Sequence, residues 1–268
     1  MNRNLVFDFG MHRGEDSEFY LKKGFHVVAV DANPQLCDEV GNKLEAEVKS
    51  GRLTIVNKAI SEKPGSIKFY LNSRHAIWGT ASPDWAERNR RFGAESTEIE
   101  VEATTVQALV QQYGMPHYMK IDIEGNDMLV LRGLVGLPET PEYVSIESDK
   151  DSFRALRKEF EMLSRLGYDE FNIVDQRQVA RQQCPNPPRE GESCVHTFRE
   201  GATGLFGEEL PGRWMSAEQA IDAYKPIFLR YALTGDDPFI RTPKIRRILK
   251  LAGFGASWFD THARRRKR

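Results

Sequence analysis

The sequence predicts an α/β fold, with a doubly wound, mostly parallel sheet covered by helices on both faces and an irregular, partly helical C-terminal extension. Two observations predict it. Short apolar runs alternate with segments of helical periodicity from residue 5 to about residue 175. Such repeated alternation requires a parallel sheet with helices on both sides. The 268 residues, 40% of them hydrophobic, suffice for one good core.

Apolar runs that end at a glycine or an acidic residue mark the strands of the first part of the chain. The run 5–9 stops at Gly10, and the run 26–30 stops at Asp31. Helical segments lie between these strands, and Gly24 ends the first of them. The predicted order is strand 5–9, helix 15–23, strand 26–30, helix 34–50 and strand 53–60.

Alternating apolar and polar residues mark two half-exposed strands in the middle of the chain. Ile67, Phe69 and Leu71 alternate with polar neighbours, as do Ile99 and Val101. We expect these two strands to pair at an edge. The segment 72–96 between them has weak periodicity and is predicted to be a loop or lid.

Strands and helices continue to alternate in the second half. The helix that begins at residue 151 or 152 is the clearest, because five apolar residues at helical spacing share one face. Later, Ser216 and Gln219 form a predicted capping box. The predicted elements are helix 105–113, strand 117–123, helix 126–134, strand 143–146, helix 152–166, strand 171–174 with antiparallel partner 195–198, a helix from 216, and a short basic helix after Pro243.

Charge and cysteine content restrict the class of protein. The formal net charge is −1, yet residues 241–268 hold ten Lys and Arg against one acidic residue. We expect a solvated, frayed terminus; the alternative is peripheral contact with an anionic lipid or glycan. No nucleic-acid partner is expected, because HARRRKR has no aromatic residues among its charges. Three scattered cysteines predict free thiols, and the lack of an apolar leader or spanning run predicts a cytoplasmic protein.

Two units are predicted, a ligand-binding domain over 1–200 and a C-terminal extension over 201–268. The sequence predicts no particular oligomeric state. Ligands of open α/β sheets bind beyond the carboxyl ends of the strands, so the residues that follow each strand are the candidates for a site.

A glycine-bearing turn follows the first strand. Asp8-x-Gly10-x-x-x-Gly14 lets the backbone turn sharply at Gly10 and lets the helix begin close to the strand at Gly14. A dinucleotide fingerprint needs different glycine spacing, and His12 stands inside this turn. The motif therefore disfavours a pyrophosphate. The plain structural alternative is that Asp8 only caps the turn.

Asp31 ends the second strand, seventeen residues after Gly14, where a carboxylate can accept both hydroxyls of a ribose. Together with the turn, this favours an adenosine-containing ligand without a pyrophosphate. S-adenosylmethionine fits, since an acidic residue such as Asp8 favours its cationic methionine part. The predicted cofactor-binding residues are Asp8, Gly10, His12, Gly14, Asp31, Ala32, Asn33, Ala59, Ile60, Ser61 and Asp122.

Five segments, in order, carry a family resemblance: VFDFGMHRGEDSEFYLKKG, VVAVDANP, NKAISEKPGSIKFY, YMKIDIEGNDMLVLRGL and YVSIES. Over about 5–175 the chain resembles the FkbM-type methyltransferases. The resemblance implies a Rossmann-like class I methyltransferase fold that uses S-adenosylmethionine. It also implies O-methylation, often of sugar or polyketide-type hydroxyls. It does not extend over 176–268, where the substrate could be selected.

The most specific segment is Lys120-Ile-Asp122-Ile-Glu124-Gly125, at the end of a predicted strand. Three charges on a buried strand need partners or a cleft. An alcohol needs a base to take its proton, and we expect Asp122, Glu124 and His12 to be catalytic. His75 and Glu147 are further candidate bases. An internal salt bridge to Lys120 is the structural alternative. The predicted acceptor-binding residues are His75, Trp78, Thr80 and Glu147.

Metal binding and two rival functions complete the expectations. Asp122, Glu124 and Glu147 could alternatively collect Mg²⁺, but the sequence has no dedicated metal spacing and we predict no metal. The predicted function is O-methylation of a sugar or glycan hydroxyl. The rivals are an NAD-dependent oxidoreductase on a similar sheet, and a non-catalytic module that binds glycan or lipid.

Overall fold

A computed structural model describes residues 1–72, 79–91, 96–150, 152–199, 201–235 and 257–266, together with 242, 244, 245 and 247. The strands are β1 (Asn2–Phe9), β2 (His26–Asp31), β3 (Leu53–Asn57), β4 (Ala59–Ile60), β5 (Gly65–Asn72), β6 (Ser96–Thr104), β7 (Pro116–Ile121), β8 (Tyr143–Glu147), β9 (Glu170–Asp175) and β10 (Phe259–Arg264). The helices are α1 (Glu15–Lys22), α2 (Pro34–Lys43), α3 (Glu45–Lys49), α4 (Pro83–Arg91), α5 (Val106–Tyr113), α6 (Asp127–Gly133), α7 (Phe153–Arg165), α8 (Gln176–Val179) and α9 (Ala217–Thr234).

A seven-stranded sheet in the order β3-β2-β1-β7-β8-β10-β9 forms the centre of the protein. Every neighbouring pair is parallel except those that involve β10. The chain runs outward from β1 to β3 and then returns to the other side of β1 at β7. A crevice opens at such a switch point, beyond the carboxyl ends of β1 and β7.

Helices cover both faces of this sheet, so the predicted fold class is confirmed. One face packs against α5, α6, α7 and α9, with Leu131, Phe160 and Tyr224 in its core. The other packs against α1, α2 and the irregular chain after residue 195, with Phe19 and Phe206 in its core. This topology agrees with the Rossmann-like fold that the family resemblance implies.

A second sheet, in the order β4-β6-β5, lies beside the first. β5 pairs antiparallel with residues 96–103 of β6, so the predicted pairing is confirmed, but it forms a separate sheet in which β6 is the central strand. Two predicted elements are divided: the helix 34–50 breaks at Leu44, and the strand 53–60 separates into β3 and β4, which belong to different sheets. The predicted loop 72–96 is wrong over Pro83–Arg91, which form helix α4 with an amphipathic sequence.

The predicted N-terminal caps of two helices after β8, α7 and α9, are confirmed. The Ser152 hydroxyl accepts a hydrogen bond from the Ala155 N–H at the start of α7. Ser216 and Gln219 form the predicted capping box of α9, each side chain accepting from the other residue's N–H. The predicted basic helix after Pro243 falls largely outside the described residues.

The C-terminal strand corrects two predictions. β10 lies between β8 and β9 and is antiparallel to both, so the predicted pairing of 195–198 with 171–174 is wrong. The predicted frayed terminus is also wrong over 259–264, where Thr261 and Ala263 are fully buried. The prediction treated Arg264 as a solvated charge. In the structure Glu170 and Glu208 neutralise it, at 2.9 and 2.7 Å, so it can lie in the sheet.

The division of the chain at residue 200 stays a prediction, although β10 lies beyond that boundary and belongs to the main sheet. Within the described ranges, none of the helices combines the length and the apolar character that a membrane crossing needs.

We expect truncation after residue 256 to lower the melting temperature by about 10 °C or more, because removal of β10 exposes the edges of β8 and β9 and buried core at once. Thermal unfolding followed by circular dichroism measures the effect. Truncation after Arg266 keeps β10 and is the control. Equal melting temperatures for both truncations would contradict the structural role of this strand.

Candidate active site

The glycine turn after β1 brings the ends of β1, β2 and β7 together. Gly10 has a φ of 82°, and its N–H donates to the Val30 carbonyl at 2.9 Å. A Cβ at this position would lie 1.7 Å from the Asp122 carbonyl oxygen. Only glycine fits there, because both the positive φ and the close approach exclude a side chain.

A buried lysine on β7 holds this turn from below. Lys120 is 3% exposed, and its Nζ donates to the Gly10 carbonyl at 2.7 Å. The same Nζ lies 3.5 Å from Asp8 Oδ1, 3.9 Å from Asp16 Oδ2 and 3.5 Å from Asp122 Oδ2. Burial alone would lower the pKa of Lys120, but these carboxylates raise it well above its ordinary value. The lysine is therefore a fixed cation.

Asp31 stands at the end of β2 with both carboxylate oxygens aligned. Oδ2 accepts the His12 N–H at 2.9 Å, and Oδ1 accepts the Asn33 N–H at 2.8 Å. Burial raises the pKa of Asp31, while these two hydrogen bonds oppose the shift. Each oxygen retains acceptor capacity for a ligand hydroxyl, since a carboxylate has about four lone-pair sites.

A cavity at the switch point collects nine of the predicted site residues: Gly10, His12, Asp31, Ala32, Asn33, Ala59, Ile60, Asp122 and Glu124. Sequence reasoning missed the other residues of its wall, which are Val30, Leu36, Lys58, Phe69, Gly79, Ala81, Ile123 and Asn126. Phe69 carried a usable signal, because it is the central apolar residue of an alternating strand. Asn126 directly follows the KIDIEG segment.

Five of the predicted residues that the structure describes are not among those that line the cavity. Asp8 is fully buried beneath it and accepts the Ser17 hydroxyl at 2.6 Å. Gly14 is the N-cap of α1 and packs against Val40. The Ser61 hydroxyl donates to the Lys63 carbonyl.

The fourth, Thr80, donates its hydroxyl to the Glu124 carbonyl at 2.8 Å. His75 and Trp78 lie outside the described residues. Glu147 does not line the cavity but lies beside Asp122 and Glu124.

Two polar atoms at the cavity wall have no hydrogen-bond partner among the described residues. They are His12 Nε2 and Asn126 Nδ2, and both are buried. A buried polar group without a partner costs free energy, which a ligand polar group would recover. The wall therefore suits a ligand with both apolar and hydrogen-bonding parts, such as a nucleoside.

Three carboxylates gather at the end of β7 and β8. One oxygen each from Asp122, Glu124 and Glu147 lies within 4.8 Å of the others, and Lys150 Nζ donates to Glu147 Oε1 at 2.8 Å. Burial raises the pKa of Glu124, and the charges of Asp122 and Glu147 raise it further. Carboxylates collect in this way without a metal as well, so the expected lack of a metal stays a prediction.

The loop that carries Glu124 is covered by the segment 79–91. Thr80 holds the Glu124 carbonyl, and a Cβ on Gly125 would lie 2.2 Å from Nε1 of Trp85, on α4. Glu124 itself has a φ of 49°, which an L-residue rarely adopts. Contacts from the segment between β5 and β6 thus fix the loop conformation. Trp85 was not predicted as a site neighbour.

Residues 8–170, more than half of the chain, match the family described as Methyltransferase FkbM domain. The protein belongs to the FkbM methyltransferase family. This confirms the family expected from the sequence. It also confirms that the chain is a methyltransferase, with S-adenosylmethionine as its cofactor, and decides against the oxidoreductase and the non-catalytic module.

Solved structures of other methyltransferases are similar to this FkbM methyltransferase at low identity. A SAM-dependent methyltransferase from Archaeoglobus fulgidus is 11% identical with a TM-score of 0.40, covering 98% of this chain and 86% of that chain. StiE O-MT is 10% identical with a TM-score of 0.41, covering 99% and 69%. A SAM-dependent methyltransferase from Geobacter sulfurreducens, in complex with S-adenosyl-L-homocysteine, is 12% identical with a TM-score of 0.34, covering 98% and 85%. None of the curated proteins compared matches the chain.

We expect Gly10→Ala to abolish S-adenosylhomocysteine binding in calorimetry, because the new Cβ must displace the Asp122 carbonyl at the cavity floor. Gly51→Ala is the matched control. Gly51 also has a positive φ, 75°, but no atom lies within 4 Å of its added Cβ. That variant should lose about 1–2 kcal/mol of stability and bind normally. Equal binding by both variants would contradict the close approach at Gly10.

Proposed function

We propose that this FkbM methyltransferase transfers a methyl group from S-adenosylmethionine to a hydroxyl of a sugar or glycan. The observation that supports it most is a carboxylate cluster in a chain from a methyltransferase family: Asp122 and Glu124 line the cavity, and Glu147 lies beside them. Carboxylates can accept the proton of a hydroxyl and hydrogen-bond to its neighbours.

The cofactor would bind between the ends of β1 and β2. Asp31 would accept the ribose hydroxyls, since both its oxygens are already oriented by backbone N–H groups. Ala59, Ile60 and Phe69 supply small and flat apolar surface for the adenine. The unpartnered Nε2 of His12 and Nδ2 of Asn126 would find hydrogen-bond partners on the cofactor.

When bound, S-adenosylmethionine supplies a methyl group on a cationic sulfur, which leaves as a neutral thioether. The protein has to orient the acceptor and to take the proton from its oxygen. Glu124 suits the second task, because its raised pKa makes the ionised carboxylate a stronger base than an exposed glutamate. The hydroxyl proton would move to a Glu124 carboxylate oxygen as the acceptor oxygen gains the methyl group.

Asp122 and His12 would have positioning roles. Lys120 fixes the Asp122 carboxylate at 3.5 Å, which leaves a negative group at the cavity wall to complement the cationic cofactor. His12 Nδ1 lies 3.2 Å from Glu15 Oε1, so this contact holds the imidazole. Glu147 is proposed to contact the acceptor. The expected cytoplasmic location and the expected lack of a nucleic-acid partner stay predictions.

We expect Asp31→Asn to weaken S-adenosylhomocysteine binding by about 10- to 100-fold, because the amide NH₂ would oppose one of the two backbone N–H donors and remove the charge that receives the ribose. Calorimetry measures the dissociation constant. Asp38→Asn, on the exposed side of α2, is the control and should bind as the wild type does. Normal affinity in Asp31→Asn would remove the ribose assignment.

We expect Glu124→Gln to reduce methyl transfer by about 10²- to 10⁴-fold while S-adenosylhomocysteine binding stays within a factor of three, because only the proton acceptor is lost. Transfer of labelled methyl to a saccharide panel gives the rate. Glu100→Gln, on the exposed part of β6, is the control. Retention of the native rate by Glu124→Gln would end the assignment of Glu124 as the base.

The pH dependence of kcat/KM for methyl transfer should show the titration of Glu124. Because burial raises the pKa of Glu124, less carboxylate is present as pH falls, and kcat/KM should fall on the acidic side with an apparent pKa above the ordinary glutamate value of about 4.3. Glu147→Gln removes a charge that raises this pKa, so the acidic limb should move to lower pH. If the acidic limb of the kcat/KM profile does not move in Glu147→Gln, that limb reports the titration of another group.

A further inference from the structure

Trp258 is a large aromatic residue with more than half of its surface in solvent. It is 56% exposed and directly precedes the first residues of β10. Its backbone is fixed, because the Trp258 carbonyl accepts the Gln176 N–H at 3.1 Å. An indole that is held in place yet exposed gains little from the core, so its position calls for another explanation.

The indole is connected to the carboxylate cluster through one cation. Lys150 Nζ lies 5.1 Å from the centroid of the Trp258 ring and donates to Glu147 Oε1 at 2.8 Å. The Lys150 side chain is only 10% exposed, so the ammonium is held between the ring and the carboxylate. Glu147 in turn lies within 4.8 Å of Asp122 and Glu124, ligand oxygen to ligand oxygen.

The sheet register places Trp258, Lys150 and Glu147 at the same edge of the sheet as the cavity. β10 runs antiparallel to β8, with Asp260 opposite Glu147. Trp258 is two residues before Asp260, so it lies beyond the carboxyl end of β8. The cavity lies beyond the carboxyl ends of β1, β2 and β7 in the same sheet. Trp258, Lys150 and Glu147 therefore lie at the same edge of the sheet as the cavity, next to the proposed base.

We propose that Trp258, Lys150 and Glu147 form an acceptor subsite for an uncharged sugar ring. This inference rests on the proposed function and makes it more specific. It assigns an acceptor contact to a residue of the C-terminal strand region, outside the part of the chain that matches the family.

The chemistry of a sugar fits the three side chains. The C–H groups on one side of a pyranose ring form an apolar face that stacks on an aromatic ring, while the hydroxyls at its rim hydrogen-bond to charged groups. The exposed indole supplies the first surface. Lys150 can donate to a hydroxyl, and Glu147 can accept from one.

The charges next to this subsite favour an uncharged acceptor over an anionic one. Asp122, Glu124 and Glu147 are acidic. Lys150, on the side of Trp258, forms an ion pair with Glu147. Lys120, which also contacts Asp122, is buried and shared with two further carboxylates, those of Asp8 and Asp16. A uronic acid would bring a further negative charge into this field and bind less well.

The experiment measures methyl transfer from labelled S-adenosylmethionine to neutral methyl glycosides and to the corresponding uronic acids. For the best neutral acceptor of the wild type, Trp258→Ala should raise KM about 10-fold or more with a smaller change in kcat. Trp258→Tyr should restore most of the affinity, since it keeps an aromatic face. The dissociation constant for S-adenosylhomocysteine should not change in either variant. Wild-type enzyme should prefer the neutral glycosides.

Trp214→Ala is the matched control, because Trp214 also lies under a cation, with Arg264 at 4.2 Å, but at the opposite end of β10. It should leave the acceptor KM unchanged. If the wild type methylates glycosides and Trp258→Ala keeps the native KM, or if the uronic acids are preferred, the subsite is wrong and the proposed function stands. If the wild type methylates no saccharide but methylates other hydroxyl compounds, the proposed sugar acceptor is itself wrong, and the subsite with it.

Discussion

A single buried ammonium organises the site. Lys120 binds the Gly10 carbonyl and lies within 3.9 Å of a carboxylate oxygen from each of Asp8, Asp16 and Asp122. These groups come from β1, the turn after it, α1 and the end of β7. Without the cation, the buried carboxylates of Asp8 and Asp16 would face each other and the half-buried Asp122 with no counter-charge, at a cost on the order of several kcal/mol. The turn geometry, the cavity floor and the orientation of Asp122 therefore all depend on one residue.

The same arrangement separates two electrostatic environments a few ångströms apart. Below the turn, one ammonium offsets part of the negative charge of the carboxylates around it, and burial raises the pKa of Asp8 and Asp16. At the cavity wall, Asp122 and Glu124 join Glu147, and burial raises the pKa of Glu124. A site for a cationic cofactor and a proton-yielding acceptor needs surplus negative charge, and it needs a carboxyl group that holds a proton readily. The carboxylates around Lys120 and the cluster of Asp122, Glu124 and Glu147 supply both properties, and Asp122 belongs to both groups.

The sequence predicted most of what positions this site. Strand-end patterns located the turn at Gly10, Asp31 and the KIDIEG segment, because parallel strands bury continuous apolar runs with distinctive ends. Local patterns could not predict β10, since its sequence FDTHAR is short and polar, and the partners that neutralise its Arg264, Glu170 and Glu208, are distant in sequence. Nor could they predict that Trp85 would cover Gly125, because such contacts depend on tertiary packing alone. Asp8 and Ser61 were predicted to contact the ligand because they lie at the ends of strands, yet internal hydrogen bonds use their side chains.

The position of β10 has a consequence for how the protein acquires its shape during synthesis on the ribosome. β8 and β9 are made early, but the strand that separates them is made more than eighty residues after β9 ends. Until then, the nascent chain carries two unpaired strand edges, which are the kind of surface that chaperones protect from aggregation. Contacts of such long sequence separation also slow folding. The β8–β10–β9 side of the sheet is thus completed last, by the segment that directly follows Trp258.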